Sequence, residues 1–326
     1  MKENETILDV KDMVVEFDAG KRRKVYAVSG VTFQVAKGET LGLVGESGCG
    51  KTTVARAIMQ LCRATSGRVL FRGEDLIRLS SDRLRQLRQL FQMIFQDSIS
   101  SLNPRRKVGD TIAAPLRIIG KGDKVERTRH TREMMKAVGL DPVQAFNRLP
   151  FQFSAGQCQR ISIARALMAE PEFVICDEPV SALDVSVQAQ IINLLEDMRV
   201  RYGLTMLFIS HDLSVIKNVC DRVAVMYLGK LCEIAPSERL YLSPRHPYTA
   251  ALFSAIPQPD PTRQQSKIKM LTGELPSPTN PPSGCRFRTR CPHAKELCAE
   301  FEPELKEFEP GHQVACHFPI CEGGAP

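Results

Sequence analysis

Tryptophan is absent from the 326 residues of this chain, and aromatic side chains make up only 6% of it. No uninterrupted apolar run reaches the length of about eighteen residues that a membrane-spanning helix needs. The opening Met-Lys-Glu-Asn-Glu also lacks the apolar stretch of a secretory signal, so we expect a protein that is cytosolic or peripheral to a membrane. With 43% hydrophobic and 25% charged residues, the chain is nevertheless able to bury a full globular core.

A strong excess of charge is also missing. The formal net charge of +7 is mild, and the basic stretches Lys21–Lys24 and Arg83–Arg88 have the composition of solvated faces. Charge therefore gives no reason to expect a nucleic-acid partner.

The 11 cysteines do not predict a disulfide scaffold, because the opening residues lead us to expect a protein without a secretory signal. A group of four, Cys285, Cys291, Cys298 and Cys316, lies in a segment rich in charge and proline with little apolar material for a core. Four thiolates suit tetrahedral zinc or an iron–sulfur cluster, and metal-free thiols remain a third interpretation. We expect the scattered cysteines to be ordinary buried or half-buried thiols: Cys49, Cys62, Cys158, Cys176, Cys220 and Cys232, with Cys321 as a spare.

What the chain does contain is a glycine-rich loop with the spacing of a P-loop. The apolar run Thr40–Val44 leads into it as a predicted buried strand, and Thr53–Leu61 leads out as a predicted helix. Backbone N–H groups at the helix start would converge on phosphate oxygens, Lys51 would neutralise the β- and γ-phosphates, and Thr52 would ligate Mg²⁺. The candidate nucleotide-binding residues are Gly45, Glu46, Ser47, Gly48, Cys49, Gly50, Lys51, Thr52 and Thr53.

Strand-like and helix-like patterns alternate along much of the chain, which predicts an α/β fold with a largely parallel sheet. Further strands are predicted at Val10–Phe17, Val31–Val35, Arg68–Arg72, Met93–Phe95, Phe173–Cys176 and Thr205–Ile209. Helices are predicted at Asp82–Phe91 and around Val187–Met198, and the polar pattern of residues 97–169 predicts a helical insertion.

Four segments follow from this pattern. Residues 1–96 form a β subdomain and the P-loop part of the core, 97–160 a helical subdomain, 161–240 the rest of the core, and 241–326 a C-terminal extension. Seven of the 21 prolines lie between Pro257 and Pro282, which predicts a semi-rigid linker into a separate C-terminal module.

Two acidic residues follow the apolar run Phe173–Cys176 directly. A buried strand that ends in carboxylates delivers them to one edge of a sheet. We expect Asp177 to hold the Mg²⁺ shell and Glu178 to polarise the attacking water, because phosphoryl transfer needs positioning and one base beside the γ-phosphate.

A capping box is predicted at Ser154-Ala-Gly-Gln157, ahead of the helix Ile161–Ala169. Ser154 is the N-cap and Gln157 its partner at the third helical position. The same geometry points a helix N-terminus outward from a loop of small residues, which favours an anion.

Taken together, these motifs resemble those of the ATP-binding subunits of ABC transporters. Ser154–Gln157 resembles the LSGGQ signature, Gln96 the Q-loop glutamine, Ser181–Asp184 the D-loop, and His211 the switch histidine. The resemblance implies a P-loop NTPase (RecA-like) core with an N-terminal antiparallel β subdomain, a helical insertion subdomain and a small C-terminal Cys-rich module.

The resemblance also implies a head-to-tail pair of subunits that share each ATP. The P-loop, Glu178 and His211 of one subunit would face Ser154, Gly156, Gln157 and Asp184 of the other. Gln96 would join Thr52 and Asp177 around Mg²⁺ and link the nucleotide to a transmembrane partner, and adenine would stack on Phe17 or Tyr26. Ala155 replaces the first signature glycine, and its methyl group could weaken the ATP site that this chain completes for its partner.

Three longer stretches resemble the oligopeptide/dipeptide/nickel importer branch: Gln96–Arg105, Asp177–Gln190 and His246–Tyr248. Ser98 stands where that branch usually has proline, and Gln152 where a histidine often occurs. This resemblance implies a 4Fe-4S cluster on the four clustered cysteines, with Zn²⁺ as the alternative. It also implies two transmembrane permease subunits and indirectly an extracytoplasmic solute-binding protein. The second ATPase subunit is either a copy of this chain or a paralogue, and Ala155 favours the paralogue.

The expected function is therefore ATP-driven uptake of di- or oligopeptides, with the chain bound peripherally at the cytoplasmic face of the membrane. Nickel chelates and oligosaccharides are alternative solutes. A soluble ABC ATPase that acts as a mechanical switch, and a redox or metal-sensing module, are alternatives of a different class.

Overall fold

The computed structural model describes residues 5–20, 23–254 and 273–321. The opening residues 1–4, two residues of the first basic stretch and most of the predicted proline linker lie outside these ranges. The strands are β1 (Thr6–Asp18), β2 (Lys24–Ala36), β3 (Thr40–Val44), β4 (Ser66–Phe71), β5 (Glu74–Asp75), β6 (Phe91–Ile94), β7 (Phe173–Asp177), β8 (Thr205–Ile209), β9 (Arg222–Tyr227), β10 (Lys230–Pro236), β11 (Lys306–Glu309) and β12 (His312–Val314). The helices are α1 (Lys51–Ile58), α2 (Ser81–Leu87), α3 (Val108–Ile112), α4 (Ala114–Ile119), α5 (Lys124–Ala137), α6 (Pro142–Ala145), α7 (Ala155–Leu167), α8 (Val185–Tyr202), α9 (Leu213–Val219), α10 (Ser237–Leu242), α11 (Pro247–Ser254) and α12 (Leu297–Glu300).

The described chain divides into two compact units. The helical unit comprises the described parts of Met1–Ile7, Val35–Glu39 and Arg78–Ile209. The P-loop unit comprises those of Leu8–Gln34, Thr40–Ile77 and Ser210–Pro326. This division differs from the four predicted segments, because it groups the P-loop with the C-terminal extension.

In the helical unit, β6, β7 and β8 form a parallel arrangement. Phe173 of β7 is in register with Phe91 of β6 and Thr205 of β8. Every residue of β7 and β8 is buried, which is why both strands appear in the sequence as continuous apolar runs. Helices α3 to α7 occupy the stretch predicted as a helical insertion.

The P-loop unit contains a mixed sheet. Strand β3 pairs in parallel with β9, whereas β9 pairs antiparallel with β10, β10 with β12, and β12 with β11. The prediction of a largely parallel sheet is therefore wrong for this unit, because β9 and β10 are joined by a tight turn at Leu228 and Gly229. A second sheet has the order β2-β1-β4-β5.

The C-terminal extension is built into the P-loop unit. Glu233 of β10 is in register with Val314 of β12, and the N–H of Ala315 donates to the carbonyl of Cys232 at 2.8 Å. His312 on β12 and Glu233 on β10 are both fully buried, and Nε2 of the imidazole lies 2.7 Å from Oε1 of the carboxylate, within hydrogen-bond distance. The prediction of a separate C-terminal module is therefore wrong for residues 306–315, which add two strands to the sheet.

Two helix boundaries in the structure also differ from the predicted ones. Helix α1 begins at Lys51 rather than Thr53, because Gly50 already acts as the N-cap. Helix α2 ends at Leu87, because Phe91 enters β6 and turns its side chain into that strand's buried face. None of the helices in the described ranges combines the length and apolar character that crossing a bilayer requires.

Candidate nucleotide-binding site and the cysteine cavity

The P-loop connects β3 to α1 through glycines whose backbone other residues cannot adopt without strain. Gly45 has φ of 153°, and a Cβ there would lie 2.1 Å from the carbonyl oxygen of Met226. Gly50 has φ of 110°, and its Cβ would lie 2.3 Å from the carbonyl oxygen of Ala27. Nothing lies within 4 Å of a Cβ built on Gly48, so the loop is packed at its ends and open in its middle.

Lys51 lies inside the loop and is only 4% exposed. Its Nζ donates to the carbonyl oxygens of Gly45 at 2.8 Å and Glu46 at 3.0 Å. Helix α1 begins at this lysine, and its N-cap Gly50 has no side chain to accept from the first N–H groups. A positive charge and a helix N-terminus therefore meet at one loop, which is the chemistry that binds phosphate.

The other predicted P-loop residues lie around this lysine. Thr52 and Thr53 are half-buried in the first turn of α1, and Ser47 is exposed. The thiol of Cys49 is buried, and burial raises its pKa, so the loop presents no thiolate.

Glu46 is held by two residues of the C-terminal extension that sequence reasoning did not assign to the site. Its N–H donates to the hydroxyl of Tyr248 at 2.9 Å. Its carboxylate oxygens accept from Nη1 of Arg290 at 2.8 and 3.1 Å. The motif His246–Tyr248 indicates the importer branch in the sequence but not a contact with the P-loop. Nothing in the local sequence links Glu46 with Arg290.

The structure brings Glu178 and Gln96 together at the carboxyl end of the helical unit's strands. Asp177 is the last residue of β7 and is 2% exposed. Glu178 follows with φ of 46°, in the left-handed region that is uncommon for a residue with a Cβ. Its Oε2 accepts from Nε2 of Gln96 at 2.8 Å. Backbone strain at such a residue often accompanies function.

The capping box predicted at the start of α7 is confirmed. Oγ of Ser154 accepts from the N–H of Gln157 at 3.3 Å, and Oε1 of Gln157 accepts from the N–H of Ser154 at 3.0 Å. A Cβ on Gly156 would lie 2.6 Å from Cγ1 of Val187, so this glycine is needed where α7 packs against α8. Asp184 is exposed at the N-cap of α8, and its side chain makes no capping hydrogen bond.

The remaining predicted residues belong to the P-loop unit. His211 is exposed just ahead of α9, whose N-cap Asp212 accepts from the N–H of Ser214 at 2.8 Å. Tyr26 is half-buried on β2, and Phe17 on β1 is 42% exposed. Both aromatic rings keep some accessible surface, so both remain candidates for stacking on adenine.

The four clustered cysteines, Cys285, Cys291, Cys298 and Cys316, line one small cavity that is partly open to solvent. Burial, followed by the neighbouring thiols, raises the pKa of Cys316 to about 12, and burial also raises the pKa of Cys285 and Cys291. In the described part of the chain, no group of three or more His, Cys, Asp or Glu side chains is placed to hold a metal ion. The scattered cysteines are buried or half-buried as predicted, and Cys321 is exposed.

Comparison with known proteins defines the class first. The model of the ABC transporter family matches residues 28–181. The fold is similar to that of the ATP-binding cassette MJ0796, solved as a dimer in a post-hydrolysis state with ADP and Pi. That similarity has a TM-score of 0.65 and 27% identity, and it covers 71% of this chain and 98% of the other. A P-loop on this fold is an ATP-binding cassette.

The branch is defined by a second family model and by close relatives. The model of the oligopeptide/dipeptide transporter C-terminal region matches residues 232–298. The chain is 52% identical to the putative oligopeptide transport ATP-binding protein YkfD of Bacillus subtilis, over 95% of both chains. It is 50% identical to the oligopeptide transport ATP-binding protein OppF of Salmonella typhimurium, over 97% of both. The chain belongs to the oligopeptide/dipeptide branch of the ABC transporter ATPases.

Proposed function

We propose that this chain is the ATP-hydrolysing subunit that powers uptake of di- and oligopeptides through an ABC importer. The observation that carries the proposal is the identity of about half of all positions, along nearly the whole chain, with oligopeptide transport ATP-binding proteins. Nickel chelates and oligosaccharides are the competing solutes, because the residues that select a solute belong to other subunits.

In this proposal the phosphates of ATP bind at the P-loop residues Gly45–Thr53. Lys51 neutralises the β- and γ-phosphates, and the N–H groups at the start of α1 donate to phosphate oxygens. Either Phe17 or Tyr26 stacks on adenine. Lys51 is already inside the loop, so binding exchanges its hydrogen bonds to the Gly45 and Glu46 carbonyls for bonds to phosphate.

The oxygen-rich set Thr52, Gln96 and Asp177 has the chemistry that Mg²⁺ prefers. The ion would supply charge neutralisation of the phosphates. Glu178 accepts a proton from the attacking water, and His211 orients the γ-phosphate. Oε2 of this carboxylate accepts a hydrogen bond from the Gln96 amide, which links the proposed base to a proposed Mg²⁺ ligand.

The chain works as one half of a head-to-tail pair in this proposal. Ser154, Gly156, Gln157 and Asp184 of one subunit complete the ATP site of the other. Ala155 at the first helical position of α7 adds a methyl group to that surface, which favours a pair with a paralogue whose two ATP sites are unequal. The pair binds two permease subunits at the cytoplasmic face of the membrane, and these receive solute from an extracytoplasmic binding protein.

Copurification tests this assembly. We expect the tagged chain, solubilised with mild detergent, to copurify with two polytopic membrane proteins and a second ABC ATPase. The ATPase activity of this complex should rise when a peptide-loaded binding protein is added. A tagged chain that is recovered with full ATPase activity but without membrane proteins would favour a soluble ABC switch.

We also propose that the four cysteines of the cavity ligate a 4Fe-4S cluster. Four thiols, the donors that such a cluster takes, line one cavity. The raised pKa values mean that binding must displace protons from these thiols. Zn²⁺ on the same four thiols is the alternative.

Metal analysis of anaerobically purified protein separates these cases. We expect iron and acid-labile sulfide in near-equal amounts, and we expect Cys298→Ser to lose both. Cys321→Ser is the matched control, because this exposed thiol does not line the cavity and its loss should leave both unchanged. Zinc without sulfide would contradict the cluster.

A further inference from the structure

Glu46, the second residue of the P-loop, is contacted by two residues of the C-terminal extension. We call Tyr248 and Arg290 the Glu46 clamp. One member binds the backbone N–H of Glu46 and the other binds its carboxylate. Both contacts lie inside the P-loop unit.

Tyr248 is fixed by the fold of the extension. The buried carboxylate of Glu233 accepts from the N–H groups of Arg245 at 2.7 Å and His246 at 2.9 Å, which holds the turn that presents this tyrosine. The Tyr248 ring is fully buried, with its centroid 4.8 Å from that of Tyr227. Its hydroxyl therefore reaches Glu46 from a rigid support.

Arg290, like Tyr248, is held in place by its surroundings. Its side chain is 7% exposed, and the Glu46 side chain is 23% exposed. Its Nη1 donates to both carboxylate oxygens of Glu46 and lies 3.4 Å from the hydroxyl of Tyr227. Charge-assisted hydrogen bonds that are shielded from water are the stronger kind, so this contact is able to fix the loop.

The clamp acts on the residue that also binds the P-loop lysine. The carbonyl of Glu46 accepts from Nζ of Lys51 at 3.0 Å. The rest of the loop is rich in glycine, with Gly45, Gly48 and Gly50 all at positive φ, and glycine backbone is costly to order. An anchor at Glu46 therefore reduces the freedom of the loop before any ligand arrives.

We propose that Tyr248 and Arg290 are positioning residues that preorganise the P-loop for nucleotide, acting only through Glu46. The His-Pro-Tyr turn then has a function in this chain that reaches beyond the extension itself. The inference rests on nucleotide binding at the P-loop, so the affinity of the parent chain is measured first. A parent chain that fails to bind nucleotide refutes the binding site, whereas a clamp variant that binds as well as the parent refutes only the clamp.

Binding of Mg-ATP is measured for the full chain carrying Glu178→Gln, alone and combined with Arg290→Gln, Glu46→Gln or both. We expect either substitution to weaken binding on the order of tenfold. The double substitution should weaken binding no further than the stronger single change, because both changes remove the same interaction. In the chain with native Glu178, the same substitutions should raise KM for ATP more than they lower kcat. Compared with Arg290→Gln, Arg290→Lys should recover part of the affinity, because it restores a positive charge opposite Glu46 on a side chain of different geometry.

Lys306→Gln is the matched control, because it removes one positive charge from an exposed ion pair of the same extension. It should leave the affinity unchanged. Circular dichroism shows whether Arg290→Gln folds. If it does not, Tyr248→Phe is measured instead, because this variant keeps the packed ring and removes only the hydroxyl. Unchanged affinity in a folded Arg290→Gln or Tyr248→Phe chain, or additive losses in the Arg290/Glu46 pair, would overturn the proposal.

Discussion

The Glu178→Gln variant is expected to bind Mg-ATP with the affinity of the parent chain while its turnover falls by about 10²- to 10⁴-fold. Glutamine has nearly the shape of glutamate and can occupy the same left-handed backbone with φ of 46°. Its amide oxygen can still accept from Nε2 of Gln96, so the local structure is kept. What the amide cannot do is take a proton from water. Equilibrium binding and steady-state phosphate release, measured on the same preparation, check both halves of this expectation.

Glu170→Gln is the matched control for this experiment. Glu170 lies in the same unit, has φ of 53°, and its exposed side chain forms an ion pair with Lys121 at 2.6 Å. Its substitution should leave turnover unchanged. Hydrolysis at the parental rate in Glu178→Gln would remove Glu178 as the base and leave the P-loop assignment standing.

The Lys51→Met variant is expected to lose Mg-ATP affinity on the order of a hundredfold. Methionine is an unbranched side chain only one atom shorter than lysine, but it cannot neutralise phosphate or donate a hydrogen bond. The carbonyls of Gly45 and Glu46 also lose their donor, so the empty loop becomes less ordered. Calorimetric titration with a non-hydrolysable ATP analogue measures the loss, and thermal unfolding reports any change in stability.

Lys11→Met is the control for this variant, since Lys11 forms a half-exposed ion pair with Asp9 at 3.0 Å on strand β1. It should bind nucleotide as the parent does. If folded Lys51→Met retained the parental affinity, the P-loop would not be where the phosphates bind.

How far the fold could be predicted depends on how locally each element is encoded. Strands β3 and β8 were predicted with their observed bounds, because a strand buried on both faces is a short continuous apolar run. The capping box at Ser154 was predicted correctly because its two partners lie within four residues of each other. Strand β11 carries mainly charged and exposed side chains, so no apolar pattern marks it.

The Glu46 clamp could not be predicted from the sequence, for a different reason. Glu46 and Arg290 are far apart in sequence, and each alone has the composition of an ordinary surface residue. The pairing of β12 with β10 joins the extension to the sheet of the P-loop unit, and the contact that accompanies it, between the buried His312 and Glu233, is polar and follows no apolar periodicity. A buried polar pair of this kind leaves no regular pattern in a sequence.

The strands that the extension contributes have one more consequence. Strand β10 has β9 on one side and β12 on the other, so a chain truncated after β10 would expose a bare row of backbone donors and acceptors. An unprotected strand of this kind is a template for other chains to pair with and aggregate. Truncating this protein after β10 would therefore yield a fragment that self-associates rather than a smaller ATPase domain that stays monomeric.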